Sequence, residues 1–160
     1  MNPSYPKRQK NRTALKQDAV SADCPCQSGL SFQACCQRFL NAYISNASMS
    51  NSPQWPDTAE QLMRSRYCAY VLKNSDYLLQ TWHPDYRPET LDLSDSPNQW
   101  IGLKIKNTHQ GKKNDCTGQV HFIARFKING KAHKLEESSQ FKKIKGQWLY
   151  LTGNLNKKRI

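Results

Sequence analysis

Four cysteines lie within thirteen residues of this chain, at Cys24, Cys26, Cys35 and Cys36. Four thiolates bind zinc in a tetrahedron with Zn–S distances of about 2.3 Å, which places neighbouring sulfurs roughly 3.8 Å apart. Consecutive Cα atoms are also about 3.8 Å apart, so the adjacent pair Cys35-Cys36 can supply one edge of the tetrahedron. The C-x-C turn can supply the opposite edge. Because four thiolates leave no position for water, the spacing predicts one structural Zn²⁺ per chain rather than a catalytic metal.

Two other interpretations of the cluster are a pair of disulfides and a group of reduced thiols without metal. Residues 1–23 are basic and polar and do not resemble a secretory signal. We therefore expect the chain to stay in a reducing cytosol, where cysteine clusters are more often metal sites than bridges. Cys68 and Cys116 stand alone in the sequence. We interpret them as a core thiol and a loop thiol, not as ligands.

The spacing C-x-C-x8-C-C, with Ser28-Gly29 after the second cysteine, resembles the SEC-C motif. This zinc-binding element ends the SecA translocase subunits of bacteria, where it engages the export chaperone SecB. The resemblance implies a bacterial cytoplasmic protein that contacts a protein partner through the zinc element. Gln27 is a departure, because the motif usually has glycine at that position. If the loop requires a positive φ there, we expect the backbone at Gln27 to be strained.

Charge is distributed unevenly along the 160 residues, which carry a formal net charge of +12. Residues 1–100 contain ten Lys and Arg against nine Asp and Glu, whereas residues 101–160 contain fourteen against three. The basic second part favours an acidic or nucleic-acid partner, and the alternative is a basic surface that only keeps the protein soluble. No apolar run approaches the roughly 18 residues of a membrane span, so we expect no membrane insertion.

Helices and polar segments must position the cysteines at the start of the chain. A helix is predicted from Cys35 to about Ile44, because apolar residues recur there at helical spacing. Residues 1–23 lack bulky apolar side chains, which predicts a disordered basic arm. Residues 45–57 are rich in Ser and Asn and contain two prolines, which predicts a linker.

Two further helices are predicted after the linker. Thr58 and Gln61 have the spacing of a capping box, and apolar residues follow at helical intervals. A shorter helix, capped by Asn74 or Ser75, must end near His83 because a proline comes next.

From Trp100 onward the pattern changes to alternation, which predicts a meander of four antiparallel strands. The turns Asn129-Gly130 and Lys145-Gly146 connect its last three strands. The first turn predicts the pairs Ile128–Lys131, Phe126–His133, Ala124–Leu135, Phe122–Glu137 and Val120–Ser139. The second turn predicts the pairs Phe141–Tyr150 and Ser139–Thr152. Glu137, Ser139, His133 and Thr152 would then share one face with the aromatic residues of the sheet.

Two helices followed by a meander are typical of the nuclear transport factor 2-like fold, an α+β cone in which a curved sheet wraps a helix. Several short stretches also resemble the YchJ family of uncharacterised bacterial proteins, in which a SEC-C motif precedes such a domain. They are Arg64-Ser65-Arg66-Tyr67-x-Ala69-Tyr70, Thr81-Trp82-His83-Pro84, Trp100-Ile101-Gly102-Leu103, Glu137-x-Ser139-x-Phe141 and Trp148-x-Tyr150. The resemblance implies a SEC-C element over residues 24–44 and a cone over 58–153, while the basic residues at the end of the chain predict a basic tail over 154–160. Many members carry a second SEC-C motif at the carboxyl end, whereas this chain has no cysteine after Cys116.

A cone of this kind leaves a pocket at its open end. The candidate pocket residues are Arg64, Arg66, Tyr67, Tyr70, Trp82, His83, Glu137 and Ser139. An enzyme could use His83 or Glu137 as a general base among apolar walls. We favour a structural interpretation, in which Glu137 forms an ion pair with Arg66 or Arg64 and Trp82-His83-Pro84 is a packed corner.

Three functions are therefore open. The first is a non-catalytic binding or adaptor module that contacts a protein partner through the zinc element, and the closed thiolate site favours it. The second is an enzyme or small-molecule binder that uses the pocket, with its catalytic residues unassigned. The third is a nucleic-acid-binding protein that uses its basic surface.

Overall fold

Helices precede a four-stranded antiparallel sheet in the computed structural model, which describes residues 22–41 and 54–155. The elements are a π-helical turn Gln33–Gln37, α1 Arg38–Leu40, α2 Ala59–Val71, α3 Ser75–Gln80, β1 Gln99–Gln110, β2 Thr117–Ile128, β3 Lys131–Ile144 and β4 Gln147–Leu155. The predicted mixed α+β class and the four-strand meander are confirmed. The residues outside the described ranges include most of the predicted arm and linker, the predicted helix end near Ile44 and the last five residues of the tail.

The side chains of Thr58 and Asn74 cap the N-termini of α2 and α3. Thr58 Oγ1 accepts a hydrogen bond from the backbone N–H of Gln61 at 3.1 Å, and this confirms the N-terminal cap of α2. Asn74 Oδ1 accepts one from Tyr77 N at 3.0 Å at the start of α3. Each cap satisfies a backbone donor that has no partner within the helix.

The sheet order is β1-β2-β3-β4, with every neighbour antiparallel. All five residue pairs predicted across the Asn129-Gly130 turn are present. Asn129 and Gly130 both have positive φ, at 50° and 77°, as a tight two-residue hairpin turn requires.

The register of the second hairpin differs from the prediction beyond Phe141. Phe141 pairs with Tyr150 as predicted, but Ser139 pairs with Gly153 and not with Thr152, so that prediction was wrong. A β-bulge between Gln140 and Phe141 places an extra residue, Leu151, on β4. The shift exposes Thr152 and brings Gly153 opposite the inner face of β3.

The hydrophobic core lies between α2 and the inner face of the sheet. Trp148 is fully buried, and its indole N–H donates to Asp57 O at 2.9 Å, which ties β4 to the start of α2. The segment that follows α3 is joined to β4 by two backbone hydrogen bonds of 2.8 Å. His83 N donates to Tyr150 O, and Tyr150 N donates to Thr81 O. These bonds hold β4 at the point where the bulge occurs.

Candidate metal centre and adjoining cavity

The four clustered cysteines converge on one point. Their Sγ atoms all lie within 4.8 Å of one another, and each side chain is 9% exposed or less. The Sγ of Cys35 is 3.7 Å from those of both Cys26 and Cys36, close to the roughly 3.8 Å edge of a zinc–thiolate tetrahedron. Four buried sulfur donors at these distances fit a metal that prefers thiolates and takes four ligands.

A short loop of residues 23–31, the metal loop, brings Cys24 and Cys26 to Cys35 and Cys36. Cys24 N donates to Leu30 O at 2.9 Å, and a bridge joins Asp23 to Ser31, so the loop returns on itself. The π-helical turn then presents Cys35 and Cys36 side by side, both buried. The ligand pairs are therefore held by backbone hydrogen bonds as well as by any metal.

Gln27 has a φ of 56°, so the loop does require the left-handed conformation that glycine would adopt without strain. A non-glycine residue there costs on the order of 1 kcal/mol. The side chain compensates by a contact outside the loop, since its Nε2 donates to Ile101 O at 3.5 Å. Its amide lies against Gly102, where an added Cβ would be 2.9 Å from Gln27 Oε1. Gln27 thus connects the metal loop to β1.

A fifth sulfur adjoins the cluster. Cys68 on α2 is fully buried, which confirms the prediction of a core thiol. Its Sγ also lies 3.7 Å from that of Cys24. It is not part of the set of four whose sulfurs are all mutually within 4.8 Å. Sequence spacing missed this neighbour because 44 residues separate Cys68 from Cys24.

Hydrogen bonds among the sulfurs distribute their protons unevenly. Bonds from Cys24, Cys36 and Cys68 lower the pKa of Cys26 far below that of an ordinary thiol. Bonds to Cys24 and Cys26 raise the pKa values of Cys36 and Cys68, because these two thiols act as the donors to those sulfurs. A bound metal would replace such protons, since only the thiolate is a ligand.

Arg64 also contacts the metal loop. Its Nη1 donates to Cys26 O at 3.1 Å, while its Nε pairs with Glu60 at 2.9 Å. The alternative that paired Arg64 with Glu137 was therefore wrong. Arg64 and Cys68 are four residues apart, so they lie on the same face of α2 and both reach the metal loop.

The face of α2 next to the one that carries Arg64 and Cys68 borders a cavity of about 220 Å³ against the sheet. Five of the predicted pocket residues line it, namely Arg66, Tyr67, Tyr70, Glu137 and Ser139. Six further residues complete the lining, namely Met63, Trp100, Phe122, Ala124, Leu135 and Tyr150. Arg64, Trp82 and His83 are not among the lining residues.

Glu137 finds hydroxyl partners on its own sheet. Its Oε1 accepts hydrogen bonds from Ser139 Oγ at 2.6 Å and from Tyr150 OH at 3.3 Å. Burial and the adjacent Glu137 charge together raise the pKa of Tyr150, so this hydroxyl stays protonated as a donor. Within residues 22–41 and 54–155, no arginine nitrogen lies within 4.0 Å of Glu137. The predicted ion pair with Arg66 or Arg64 was wrong.

Arg66 is 3% exposed and lies at the cavity wall. Its Nη1 donates at 2.7 Å both to Leu78 O and to Thr81 Oγ1. Its guanidinium carbon stands 4.6 Å from the ring centre of Tyr150 and 5.2 Å from that of Trp82. The buried cation is thus held by neutral acceptors and aromatic faces.

His83 lies apart from the cavity lining. Its Nδ1 accepts from Asp85 N at 3.2 Å, and its ring packs on Tyr86. His83 and Glu137 are therefore not brought to one point as a catalytic pair would be. Trp82 donates its indole N–H to Leu151 O at 3.2 Å and packs edge-on against Tyr150.

A surface groove of about 600 Å³ runs between the metal loop and the start of β1. Its walls include Pro25 and Gln27 from the loop and Trp100 and Ile101 from β1. Ile101 is 42% exposed, and Leu30 at the loop tip is 54% exposed.

Across residues 22–41 and 54–155, the structure contains no helix with the length and apolar character of a membrane span.

Family profiles match both parts of the chain. The profile described as "YchJ, middle NTF2-like domain" matches residues 58–153, and that of the SEC-C motif matches residues 21–38. A UPF0225 protein of Chromobacterium violaceum is 44% identical over 82% of this chain and 92% of its own length. Another, from Bordetella pertussis, is 40% identical over 88% of this chain and 98% of its own length.

Two solved structures share the fold. The solution structure of RPA3114, a SEC-C motif containing protein from Rhodopseudomonas palustris, aligns with a TM-score of 0.67 at 30% identity. It covers 82% of this chain and 96% of its own. The crystal structure of a SEC-C motif containing protein from Psychrobacter arcticus aligns with a TM-score of 0.63 at 29% identity, covering 86% and 84%.

Proposed function

We propose that this chain, which belongs to the YchJ family of bacterial proteins, is a non-catalytic binding protein in which a structural zinc ion holds a partner-contacting loop. The observation that carries the proposal is the burial of all four cysteine sulfurs within 4.8 Å of one another. A catalytic zinc keeps a position open for water or substrate, whereas four thiolates occupy every position. Zinc is the metal assigned because it is the usual occupant of a tetrahedral four-sulfur site.

The metal loop is fastened to the larger domain rather than tethered to it. Gln27 bonds to Ile101, Arg64 bonds to Cys26, and Cys68 packs on Cys24. A loop held in this way loses little conformational entropy when a partner binds, which favours affinity.

The groove beside the loop supplies the contact surface. It combines Pro25, Trp100 and the half-exposed Ile101 with the loop backbone, and the exposed Leu30 follows Gly29, a lining residue, in the chain. Exposed apolar side chains around a rigid groove are typical of protein contact sites rather than of nucleic-acid sites, which are strongly positive. We therefore assign a protein as the partner.

Site-specific photo-crosslinking in living cells tests this assignment. A photoreactive amino acid at Leu30 should give a discrete protein adduct, and the same amino acid at Leu155 should not. Leu155 is a matched control, because it is a leucine of nearly equal exposure, 52% against 54%, and lies on β4 at the other edge of the sheet. Equal adducts from both positions, or adducts to RNA alone, would refute the protein assignment.

The metal assignment has a separate test. Elemental analysis of the purified chain should find about one zinc per chain, and Cys35→Ser should lose it. Full zinc content with no adduct from Leu30 would remove the partner role alone. Absence of zinc from the wild-type protein would remove the metal assignment whatever the adducts are.

A further inference from the structure

The cavity beneath α2 has walls of two kinds. Most of its surface comes from apolar and aromatic side chains, including Met63, Trp100 and Phe122, while charged groups lie at Arg66 and Glu137. An apolar cavity of roughly 150 Å³ can hold benzene. A cavity of about 220 Å³ therefore has room for a planar molecule of about ten non-hydrogen atoms.

Arg66 is the group that a ligand would meet on the helix side. Both hydrogen bonds that the guanidinium donates within the described residues come from Nη1, so Nε and Nη2 have no partner there, and Arg66 lines the cavity. No carboxylate of the described chain lies within 4.0 Å of it. Burial lowers the pKa of Arg66, while the charge of Glu137 at longer range acts in the opposite direction. A buried guanidinium that no carboxylate contacts directly is a strong site for a ligand carboxylate, which it binds through parallel N–H···O bonds.

Glu137 limits which anion can enter. Its carboxylate is fixed on the sheet side by the hydroxyls of Ser139 and Tyr150. It also occupies the space left by Gly153, where a Cβ would lie 1.8 Å from Glu137 Oε1. A second acidic group on the ligand would meet this fixed negative charge, whereas a hydroxyl would find an acceptor.

We propose that the cavity binds a small planar monocarboxylic acid, whose carboxylate pairs with Arg66 and whose apolar body lies among the aromatic rings, with a hydroxyl directed to Glu137. The cavity adjoins the metal loop, because Tyr67 and Trp100 line both this cavity and the groove beside that loop. The ligand class follows from one buried cation, one fixed carboxylate and a planar apolar volume.

Calorimetric titration of the zinc-loaded full-length chain with para-hydroxybenzoate tests the site. The matched ligand is para-hydroxybenzamide, which has the same shape and heavy-atom count but no charge. Loss of one charge-assisted contact should weaken binding by about tenfold or more. Equal affinity for the acid and the amide, or no heat from the acid at millimolar concentration with correctly folded protein, would overturn the proposal.

Two variants locate the site without relying on removal of Arg66, which also bonds α3. Ala124→Leu fills the cavity while leaving both charges in place, and should abolish binding of para-hydroxybenzoate. Arg87→Met removes a charge from an exposed arginine outside the cavity lining, and should leave affinity unchanged. Undiminished binding by a folded Ala124→Leu variant, or a similar loss in Arg87→Met, would place the ligand elsewhere on the surface and refute the assignment.

Discussion

Removal of the fifth sulfur tests how α2 supports the metal centre. Cys68→Ala deletes a thiol whose Sγ lies 3.7 Å from that of Cys24 and whose side chain is fully buried. Groups that hydrogen-bond a metal ligand from outside typically change metal affinity by 10–100-fold when removed. Because Cys68 contributes one weak S–H donor, we expect the lower end of that range, about a tenfold loss of zinc affinity, or about 1.4 kcal/mol.

The variant should also lose packing. Deleting one buried sulfur leaves a small cavity and should lower the free energy of unfolding by about 1–2 kcal/mol. Cys68→Ser separates the two effects, since serine removes the same buried sulfur but keeps a hydrogen-bond donor at that position. It should lose stability much as Cys68→Ala does but keep more of the wild-type zinc affinity.

Competition with a chromophoric zinc chelator measures the affinity, and circular dichroism checks the fold. Cys116→Ala is the control, because that cysteine is exposed and outside the cluster. Wild-type zinc affinity in both Cys68 variants would refute the supporting role. A loss as large as that caused by Cys24→Ala would instead make Cys68 a ligand, contrary to the geometry described here.

Two more perturbations test the cavity wall and α2. Gly153→Ala would place a Cβ 1.8 Å from Glu137 Oε1, so the carboxylate must leave its two hydroxyl partners, and chemical denaturation should show a loss of about 1–3 kcal/mol. Adding Glu137→Ala should recover most of that loss, and no recovery would locate the strain elsewhere. Burial raises the pKa of Tyr67 from 10.0 to about 12. The folded state therefore holds this proton more tightly, so its contribution to stability is complete below pH 10 and is lost as the pH rises through 12. Denaturation across this range should show a smaller decline in Tyr67→Phe, and an equal decline would contradict the shift.

Local sequence patterns predicted the strand register correctly wherever that register depends on residues close together in the chain. The Asn129-Gly130 turn determined the whole β2–β3 register, because a two-residue loop allows one pairing and each later pair follows from it. The same reasoning failed at Ser139, since it assumed a regular ladder and β4 contains a bulge at Leu151. That bulge lies where the segment after α3 bonds Tyr150, a contact between residues about 70 positions apart.

Helix geometry alone predicts that the two arginines of α2, Arg64 and Arg66, point in different directions. Residues two apart on a helix differ by about 200° in direction, so Arg64 and Arg66 could not both face Glu137. Met63, Arg66, Tyr67 and Tyr70 follow the i, i+3, i+4, i+7 pattern of one face, and that face lines the cavity. Arg64 belongs to the other face and reaches Cys26.

The chain alone thus determined which four cysteines cluster, the α+β class and the first hairpin, because each depends on residue types at short separation. Tertiary structure decided which side of α2 serves the metal loop and which serves the cavity. It also decided that Cys68 adjoins the cluster and that Glu137 pairs with hydroxyls rather than with arginine. These outcomes depend on how α2 is rotated against the sheet, and that rotation is set by packing among residues far apart in sequence.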